Sequence, residues 1–336
     1  MTINFFYRSK DAGFSIARVF EPIAEELQKK GHIVNNIYVP SKYGNISDII
    51  KNALYARREL KKNKNKEVIN HITGDVYYLS WFLPKKNLVV TVHDIWFYTM
   101  NPKGLKMKMK YFFWIRPLKR AKKVTFISEA SRTQVLQYLT LKQEQTEVIE
   151  NPVSPDYISS DKPFNSQKPV ILHLGMSPSK NLGNLIPALK GISCHLRLIG
   201  QLKPEYQKLL EENNIEYSFV YNLTNKEVVQ EYAQCDIVNL TSEHEGFGMP
   251  IIEGQASNKI VVTSDISPMK EIAGDGACLV NPGNREEIHA AYKKIIEDEA
   301  YREDIRGKGL KNAKRFQINV IAAKYETLYS NMLNKI

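Results

Sequence analysis

Short apolar runs alternate with amphipathic segments twice along the chain, and this alternation constrains the fold more than any other feature. Strands that alternate with helices indicate a parallel sheet covered by helices on both faces. Ligands of such sheets bind at the carboxyl ends of the strands. The predicted strands are 3–7, 33–39, 67–71, 87–92, 123–127 and 146–150 in the first half, and 170–174, 195–199, 216–220, 236–240, 259–263 and 278–281 in the second.

A stretch rich in Pro, Ser and Asn, residues 151–169, separates the two halves and is typical of an interdomain linker. A chain of 336 residues with 43% hydrophobic residues can form two domains of about 150 residues, each with its own core. We therefore predict an N-terminal domain over 1–152 and a C-terminal domain over 153–316. The predicted helices include 15–30, 104–121, 285–313 and 317–333.

The segment 235–253 combines a predicted strand, a loop with two glycines and the start of a helix. The loop and helix read Glu-Gly-Phe-Gly-Met-Pro-Ile-Ile-Glu, and the proline fixes φ in the first helical turn. Free N–H groups at a helix N-terminus attract a phosphate, and carboxylates accept hydrogen bonds from sugar hydroxyls. We therefore predict a sugar-nucleotide site, rather than two solvated glutamates, formed by Glu245, Gly246, Phe247, Gly248, Met249, Ile251 and Glu253.

Four other segments accompany this motif: Thr91–Asp94, Val148–Pro152, Val170–Gly175 followed by Lys180 and Asn181, and Gly274–Asn284. In this order they resemble the retaining family-4 (group 1) glycosyltransferases of the GT-B fold, which carry a Glu-x7-Glu motif. The resemblance implies two Rossmann-like, doubly wound parallel-sheet domains that face each other across a cleft. It also implies that the last helix, about 317–336, crosses back to the first domain.

The resemblance implies a function as well. The expected reaction moves a hexosyl unit from a UDP- or GDP-sugar to a glycan or lipid-linked acceptor, in cell-envelope polysaccharide biosynthesis and without a cofactor. Another GT-B chemistry, such as a sugar-nucleotide epimerase or hydrolase, and a non-catalytic sugar-nucleotide-binding scaffold remain as alternatives.

The same resemblance assigns roles to individual residues. His93 and Asp94 are expected beside the transferred sugar, with Glu245 and Lys180 as the other catalytic residues. Gly175, Lys180 and Asn181 are expected to bind the donor diphosphate, although Met176 occupies the position where relatives carry an arginine. The expected acceptor-side residues are Gly13, Phe14, His71, Gly74 and Asp75. For Tyr77, Tyr78 and Trp81, stacking on sugars and packing in the core are equally compatible with the sequence.

The sequence predicts neither a metal site nor a membrane-spanning segment. The chain lacks an Asp-x-Asp pair and any Cys/His spacing of a zinc site, so we expect metal-independent chemistry. Its three cysteines share no motif spacing, its N-terminus lacks the apolar core of a signal peptide, and no apolar run approaches about 20 residues. We therefore expect a cytoplasmic protein, with peripheral binding to the inner membrane leaflet as an open alternative.

Charge is concentrated in the first half. Residues 1–150 contain 26 Lys and Arg against 13 Asp and Glu, whereas the remainder contains 21 against 23. The segment 103–123 contains nine basic residues and no acidic one, which suits an anionic membrane surface or a solvated face. No nucleic-acid-binding motif accompanies this charge. We predict a helix broken near Pro117, with Leu105, Met109, Phe112 and Phe113 facing the core.

Overall fold

The computed structural model describes residues 1–13, 15–42, 45–62, 67–95, 98, 104–160 and 162–334, without the side chain of Lys106. The chain forms two compact units, one of Met1–Pro152 with Ile318–Ile336 and the other of Val153–Gln317. Each unit is built around a six-stranded sheet whose strands are all parallel. The GT-B fold class is thus confirmed in its two doubly wound α/β units.

All twelve predicted strands are confirmed to within two residues. In chain order the strands are β1 Thr2–Tyr7, β2 Ile33–Tyr38, β3 Val68–Ile72, β4 Leu88–Val92, β5 Lys123–Phe126, β6 Thr146–Val148, β7 Val170–Leu174, β8 His195–Ile199, β9 Glu216–Val220, β10 Ile237–Leu240, β11 Ile260–Ser264 and β12 Cys278–Val280. The first sheet has the order β2-β1-β3-β4-β5-β6 and the second the order β12-β11-β10-β7-β8-β9.

Amphipathic helices cover both faces of each sheet. In the described ranges the α-helices are α1 Ser15–Lys29, α2 Ile46–Lys61, α3 Leu105–Lys110, α4 Glu129–Leu136, α5 Leu182–Ala188, α6 Pro204–Glu212, α7 Asn225–Gln234, α8 Met249–Ala256, α9 Met269–Ala273, α10 Arg285–Glu297, α11 Glu299–Ala313 and α12 Ile318–Leu333. In the first unit, α1 and α12 pack on one face of the sheet. The opposite face is covered by α2 and the residues from α3 to Arg120.

The predicted orientation of the 104–121 helix is wrong. Leu105, Met109 and Phe112 are 74%, 44% and 42% exposed, and of the four residues predicted to face the core only Phe113 packs against it. The chain continues from α3 through a π-helical turn, Tyr111–Ile115, and a 3-10 turn, Arg116–Arg120, rather than breaking. A competing stripe at helical spacing, Met107, Tyr111, Trp114 and Ile115, meets the core instead.

Candidate active site

The loop after β7 forms one side of the candidate donor site in the second unit. Gly175 has a φ of +90°, and a Cβ there would lie 3.3 Å from two carbons of the Lys180 side chain. Only glycine therefore lets Lys180 fold back across the loop. Asn181 is buried and donates from Nδ2 to the carbonyl oxygens of Thr241 (2.9 Å) and Pro282 (2.7 Å), which ties this loop to the ends of two other strands.

Glu245 lies in the loop between β10 and α8 and bonds directly to Lys180. Its Oε1 is 2.6 Å from Lys180 Nζ and accepts a bond of 2.7 Å from Ser242 Oγ. The side chains of Lys180 and Glu245 are 22% and 16% exposed, so the ion pair is only partly shielded from water. The structure therefore brings two of the predicted catalytic groups, one cation and one anion, into contact.

The N-terminus of α8 is built as the sequence predicts. Gly248 has a φ of +102° at the helix N-cap, where a Cβ would lie 2.9 Å from Ile251 Cδ1. Phe247 is buried and meets Phe316 edge-on, with ring centroids 6.0 Å apart. The Gly246–Gly248 turn thus places Met249 and Pro250 in the first helical turn, where Ile251 donates its N–H to the Gly248 carbonyl at 3.0 Å.

Glu253 is buried inside α8 and has a hydrogen-bond partner that the motif does not reveal. Tyr232, on α7, donates from its hydroxyl to Glu253 Oε2 at 2.6 Å, and its ring has no exposed surface. Burial, and then the nearby Glu253 carboxylate, raise the pKa of Tyr232 well above its usual value. Tyr232 therefore stays protonated and acts as a hydrogen-bond donor to the second carboxylate of the motif.

A series of buried hydrogen bonds connects Tyr292, Asn239 and His173 to the backbone of the Gly175 loop. Asn239 Nδ2 donates to His173 Nδ1 at 2.8 Å, so the opposite nitrogen, Nε2, carries the proton and donates to the Gly175 carbonyl at 3.1 Å. Tyr292 in turn donates to Asn239 Oδ1 at 2.7 Å. Burial, reinforced by Lys180, lowers the pKa of His173 to about 3, which keeps the ring neutral.

Met176, the residue that follows Gly175, turns into the fold. It is 8% exposed, and a Cβ on Gly200 would lie 2.8 Å from its Cγ. The methionine side chain therefore fills the space above Gly200 and supplies no charge. Lys180 remains as the cation of this loop.

In the first unit, His93 follows β4 and is partly buried. Its Nε2 donates to the Thr73 carbonyl at 2.9 Å. Burial lowers the pKa of His93, against the opposing effect of Asp75 and Asp94. The neutral ring has a single N–H group, and Thr73 accepts that hydrogen bond, so the ring has no further N–H to donate.

Gly13, Gly74 and Asp75 lie together near His93, whereas Phe14 lies outside the described residues. A Cβ on Gly74 would lie 2.7 Å from Ile16 Cδ1 and 2.9 Å from His93 Cδ2, so this position requires glycine. Asp75 pairs with Arg8 at 2.6 Å, and Arg8 also donates to the Gly13 carbonyl at 3.2 Å. A cavity of about 180 Å³ adjoins this cluster and is lined by residues that include Tyr7, Arg8, Lys10, Gly13, Ile16 and Tyr38.

His71 does not face an acceptor, contrary to the prediction. It is fully buried, with Nδ1 2.6 Å from the Tyr329 hydroxyl and Nε2 2.7 Å from Thr91 Oγ1. Burial lowers the pKa of His71 to about 3, so it is a neutral core residue that joins β3 to α12. Tyr77 and Tyr78 are also fully buried and belong to the core.

Across the ranges given above, no group of three or more His, Cys, Asp and Glu side chains is placed to hold a metal ion. In the same part of the chain, no helix combines the length and apolar character needed to cross a bilayer.

Comparison with known proteins decides the family. Residues 156–312 match the model of glycosyl transferases group 1, and residues 16–157 match that of glycosyltransferase family 4. The two matches together span almost the whole chain. The protein belongs to the family-4, group 1 glycosyltransferases.

Individual relatives of this glycosyltransferase agree with that assignment. The chain is 26% identical to the O-antigen chain mannosyltransferase RfbU of Salmonella typhimurium, over 83% of this chain and 79% of the relative. It is 24% identical to the O-antigen chain mannosyltransferase B of Escherichia coli, over 75% and 71% of the two chains.

Solved structures share the fold of the glycosyltransferase. HepE of Anabaena, in complex with UDP and glucose, matches with a TM-score of 0.77 and 20% identity over 98% of this chain and 100% of HepE. Sucrose-phosphate synthase of Thermosynechococcus elongatus matches with a TM-score of 0.80 and 16% identity over the full length of both chains. At these identities the likeness establishes the GT-B fold.

The residues of this glycosyltransferase that sequence reasoning missed are mostly partners of the predicted ones. Ser242, Tyr232, His173 and Arg8 each bond to a predicted site residue or to its backbone. Position gives a hint for two of them, because Arg8 directly follows the apolar run of β1 and Ser242 lies two residues after that of β10. Tyr232 lies 21 residues before Glu253, and nothing in its local pattern indicates the contact.

We expect Tyr232→Phe to weaken binding of the nucleotide-sugar donor about tenfold. The substitution removes the bond that orients Glu253 and keeps the buried ring, and a hydrogen bond to a charged group contributes about 1.5–3 kcal/mol. Donor titration by calorimetry measures the effect. Tyr329→Phe is the matched control, because it also deletes a buried hydroxyl bond but lies in the first unit. Equal donor affinity in the two variants would contradict the orienting role.

Proposed function

We propose that the protein is a retaining, metal-independent hexosyltransferase that uses a UDP- or GDP-sugar. The observation that carries the proposal is the placement of Lys180 against Glu245, beside the N-terminus of α8. A lysine and free backbone N–H groups stabilise the negative charge that develops on a nucleoside diphosphate leaving group. The Anabaena relative was solved with UDP and glucose, which favours a nucleotide sugar as the donor.

In the proposed reaction the acceptor hydroxyl attacks the anomeric carbon on the face of the leaving group. The bond from the anomeric carbon to the diphosphate oxygen breaks, and a diphosphate oxygen takes the proton of the hydroxyl. Glu245 binds hydroxyls of the transferred sugar, and Glu253 binds the ribose diol. Because the ring N–H of His93 is bonded to Thr73, the backbone carbonyl of His93 is the group that stabilises positive charge at the anomeric carbon.

The acceptor is a glycan or a lipid-linked glycan of the cell envelope. The O-antigen mannosyltransferases among the relatives support a role in polysaccharide biosynthesis. The excess of basic residues in 1–150 supports a first unit that approaches an anionic acceptor or surface. We place the protein on the cytoplasmic side of the membrane, bound peripherally through the basic segment 103–123.

The test is turnover with each of UDP-, GDP- and ADP-linked hexoses in the presence of a lipid-linked saccharide acceptor. Release of nucleoside diphosphate should accelerate when the acceptor is added, and NMR of the product should show the anomeric configuration of the donor. Release that is independent of acceptor would indicate a hydrolase, and a change of the sugar without transfer would indicate an epimerase. Binding without turnover would indicate a scaffold.

We expect turnover to survive EDTA with less than a twofold change. The charge of the leaving group is offset by Lys180 and the helix N-terminus in this proposal, so a divalent ion has no part in the reaction. Initial rates before and after chelation, followed by addition of Mg²⁺ or Mn²⁺, measure the effect. Loss of activity on chelation that either ion restores would disprove metal independence.

A further inference from the structure

The outer face of α2 carries an apolar stripe that contacts no core. Ile46, Ile50 and Leu54 are 55%, 50% and 63% exposed, and their spacing of four residues places them in one line along the helix. The inner face of the same helix, with Ile49 and Ala56, packs in the core of the first unit. The helix is therefore apolar on both sides.

A second stripe runs along the helical segment from α3 to the π-helical turn. Leu105, Met109 and Phe112 follow each other at four and three residues, and all three are exposed. The inner face of this segment packs in the same core cluster as α2, on the same face of the β-sheet. Both stripes therefore point away from that one face. Six of the eleven large hydrophobic side chains that are exposed in the described chain lie in them.

The segment Tyr77–Trp81 joins the two helices. Tyr78 accepts a bond of 2.8 Å from Asn52 of α2, and Trp81 Nε1 donates to the Phe112 carbonyl at 3.2 Å. The rings of Trp81 and Phe112 stack at 5.4 Å. Arg116 lies over both rings, 5.9 Å from the centre of Trp81 and 5.6 Å from that of Phe112. The edge of the second stripe is therefore an aromatic pair capped by a guanidinium group.

Basic residues surround both stripes. Residues 104–122 contain seven Lys and Arg and no Asp or Glu, and residues 46–62 contain five basic residues against two acidic ones. Exposed cations beside the stripes include Lys51, Arg57, Arg58, Lys61, Lys108, Arg116 and Lys119. Lysine is depleted in protein–protein interfaces, whereas apolar and aromatic side chains flanked by Lys and Arg are typical of helices that lie in a membrane interface.

We propose that the stripes of α2 and of residues 105–112 together insert into the headgroup region of a bilayer that contains anionic lipids. The basic residues draw the first unit to the surface, and the six apolar side chains then enter the boundary between headgroups and acyl chains. The inference rests on the proposed membrane-linked acceptor and adds insertion to electrostatic attraction. Insertion differs from attraction in one measurable way, since apolar burial is not screened by salt.

The experiment uses the full chain and vesicles of phosphatidylcholine with or without phosphatidylglycerol. Three variants are compared with the wild type: Ile46→Ser/Ile50→Ser/Leu54→Ser, Leu105→Ser/Met109→Ser/Phe112→Ser, and the control Phe219→Ser/Tyr221→Ser. The control removes two side chains of the second unit that are 43% and 54% exposed. All the replaced residues are exposed, so the variants should keep the melting temperature of the wild type.

At high salt, each stripe variant should bind vesicles with phosphatidylglycerol at least tenfold more weakly than the wild type, while the control binds unchanged. Acyl chains brominated near the headgroup should quench Trp81, and Trp81→Phe should lose that part of the quenching. The proposal would be overturned if, at high salt, the stripe variants sedimented with the vesicles as completely as the wild type does. A wild-type dimer that the stripe substitutions dissociate would also overturn it, because a second copy would then cover the surface.

Donor binding is measured in parallel by the thermal shift with UDP- and GDP-sugars. The stripe variants should keep this shift, because the donor residues lie in the second unit. If the protein binds vesicles but shows neither a thermal shift with any nucleotide sugar nor turnover, membrane insertion is still supported. The glycosyl transfer proposed above is then contradicted. Turnover on a soluble acceptor without vesicle binding would contradict insertion alone.

Discussion

Lys180→Ala should lower kcat/KM for the donor reaction about 10²–10³-fold. In the proposed reaction the ammonium group offsets charge on the departing diphosphate, and with Met176 turned into the fold the loop offers no second cation in its place. Steady-state kinetics with saturating acceptor measures the loss. Lys190→Ala is the matched control, since Lys190 is exposed just beyond α5.

The contact between Lys180 and Glu245 allows the effect of the Lys180 charge on the rate to be separated from its pairing with Glu245. The two side chains are 2.6 Å apart, and the three N–H groups of an ammonium allow Lys180 Nζ to bond both Glu245 and a diphosphate oxygen. Lys180→Arg keeps the charge and should recover part of the rate. A double-mutant cycle with Glu245→Gln separates the two roles. Rates that fall less than threefold in Lys180→Ala would remove the lysine from the catalytic set.

Changes at the two glutamates of the motif should have different kinetic effects. Glu253→Gln should weaken donor binding roughly 10–100-fold, because it removes the charge that we propose binds the ribose hydroxyls. Glu245→Ala should lower kcat more than it raises KM, because in the proposed reaction Glu245 contacts the transferred sugar. Donor affinity from calorimetry and kcat from initial rates distinguish the two effects.

Glutamine is the better replacement at position 253 because of Tyr232. Glu253→Ala would leave the Tyr232 hydroxyl buried without its acceptor, at a cost of about 1–3 kcal/mol in folding free energy, whereas Gln keeps an acceptor oxygen. Melting temperatures without donor serve as the control for both variants. Wild-type affinity in Glu253→Gln together with wild-type turnover in Glu245→Ala would show that the motif does not form the donor site.

The strands and the donor loops could be predicted because their determinants are local. A run such as Val170–Leu174 is apolar enough to be buried on both faces wherever it lies, and Gly248 and Pro250 suit a helix start by their own backbone preferences. The candidate residues Glu245, Lys180 and Glu253 were predicted from their spacing from these elements. The partners Tyr232 and Ser242 could not be found in the same way, because a hydrogen bond between side chains depends on packing between elements.

His71 shows why a polar residue at a strand end is ambiguous from sequence. A histidine there can face a ligand or the core, and the helix that covers the sheet makes the choice. In this protein α12, more than 240 residues later in the chain, brings Tyr329 to its Nδ1, and Thr91 of a neighbouring strand meets its Nε2. Because both ring nitrogens have hydrogen-bond partners, the neutral ring can be buried without leaving a polar atom unsatisfied.

The sequence by itself determined two α/β units, their twelve strands and the loops of the candidate donor site, because apolar runs, glycines and prolines act over a few residues. Only the tertiary structure decided which of two apolar stripes in 105–115 enters the core. Met107, Tyr111 and Trp114 have the same helical periodicity as Leu105, Met109 and Phe112, and periodicity alone cannot rank them. The shape of the space beside the sheet selects one stripe, and the other is left facing out among the cations.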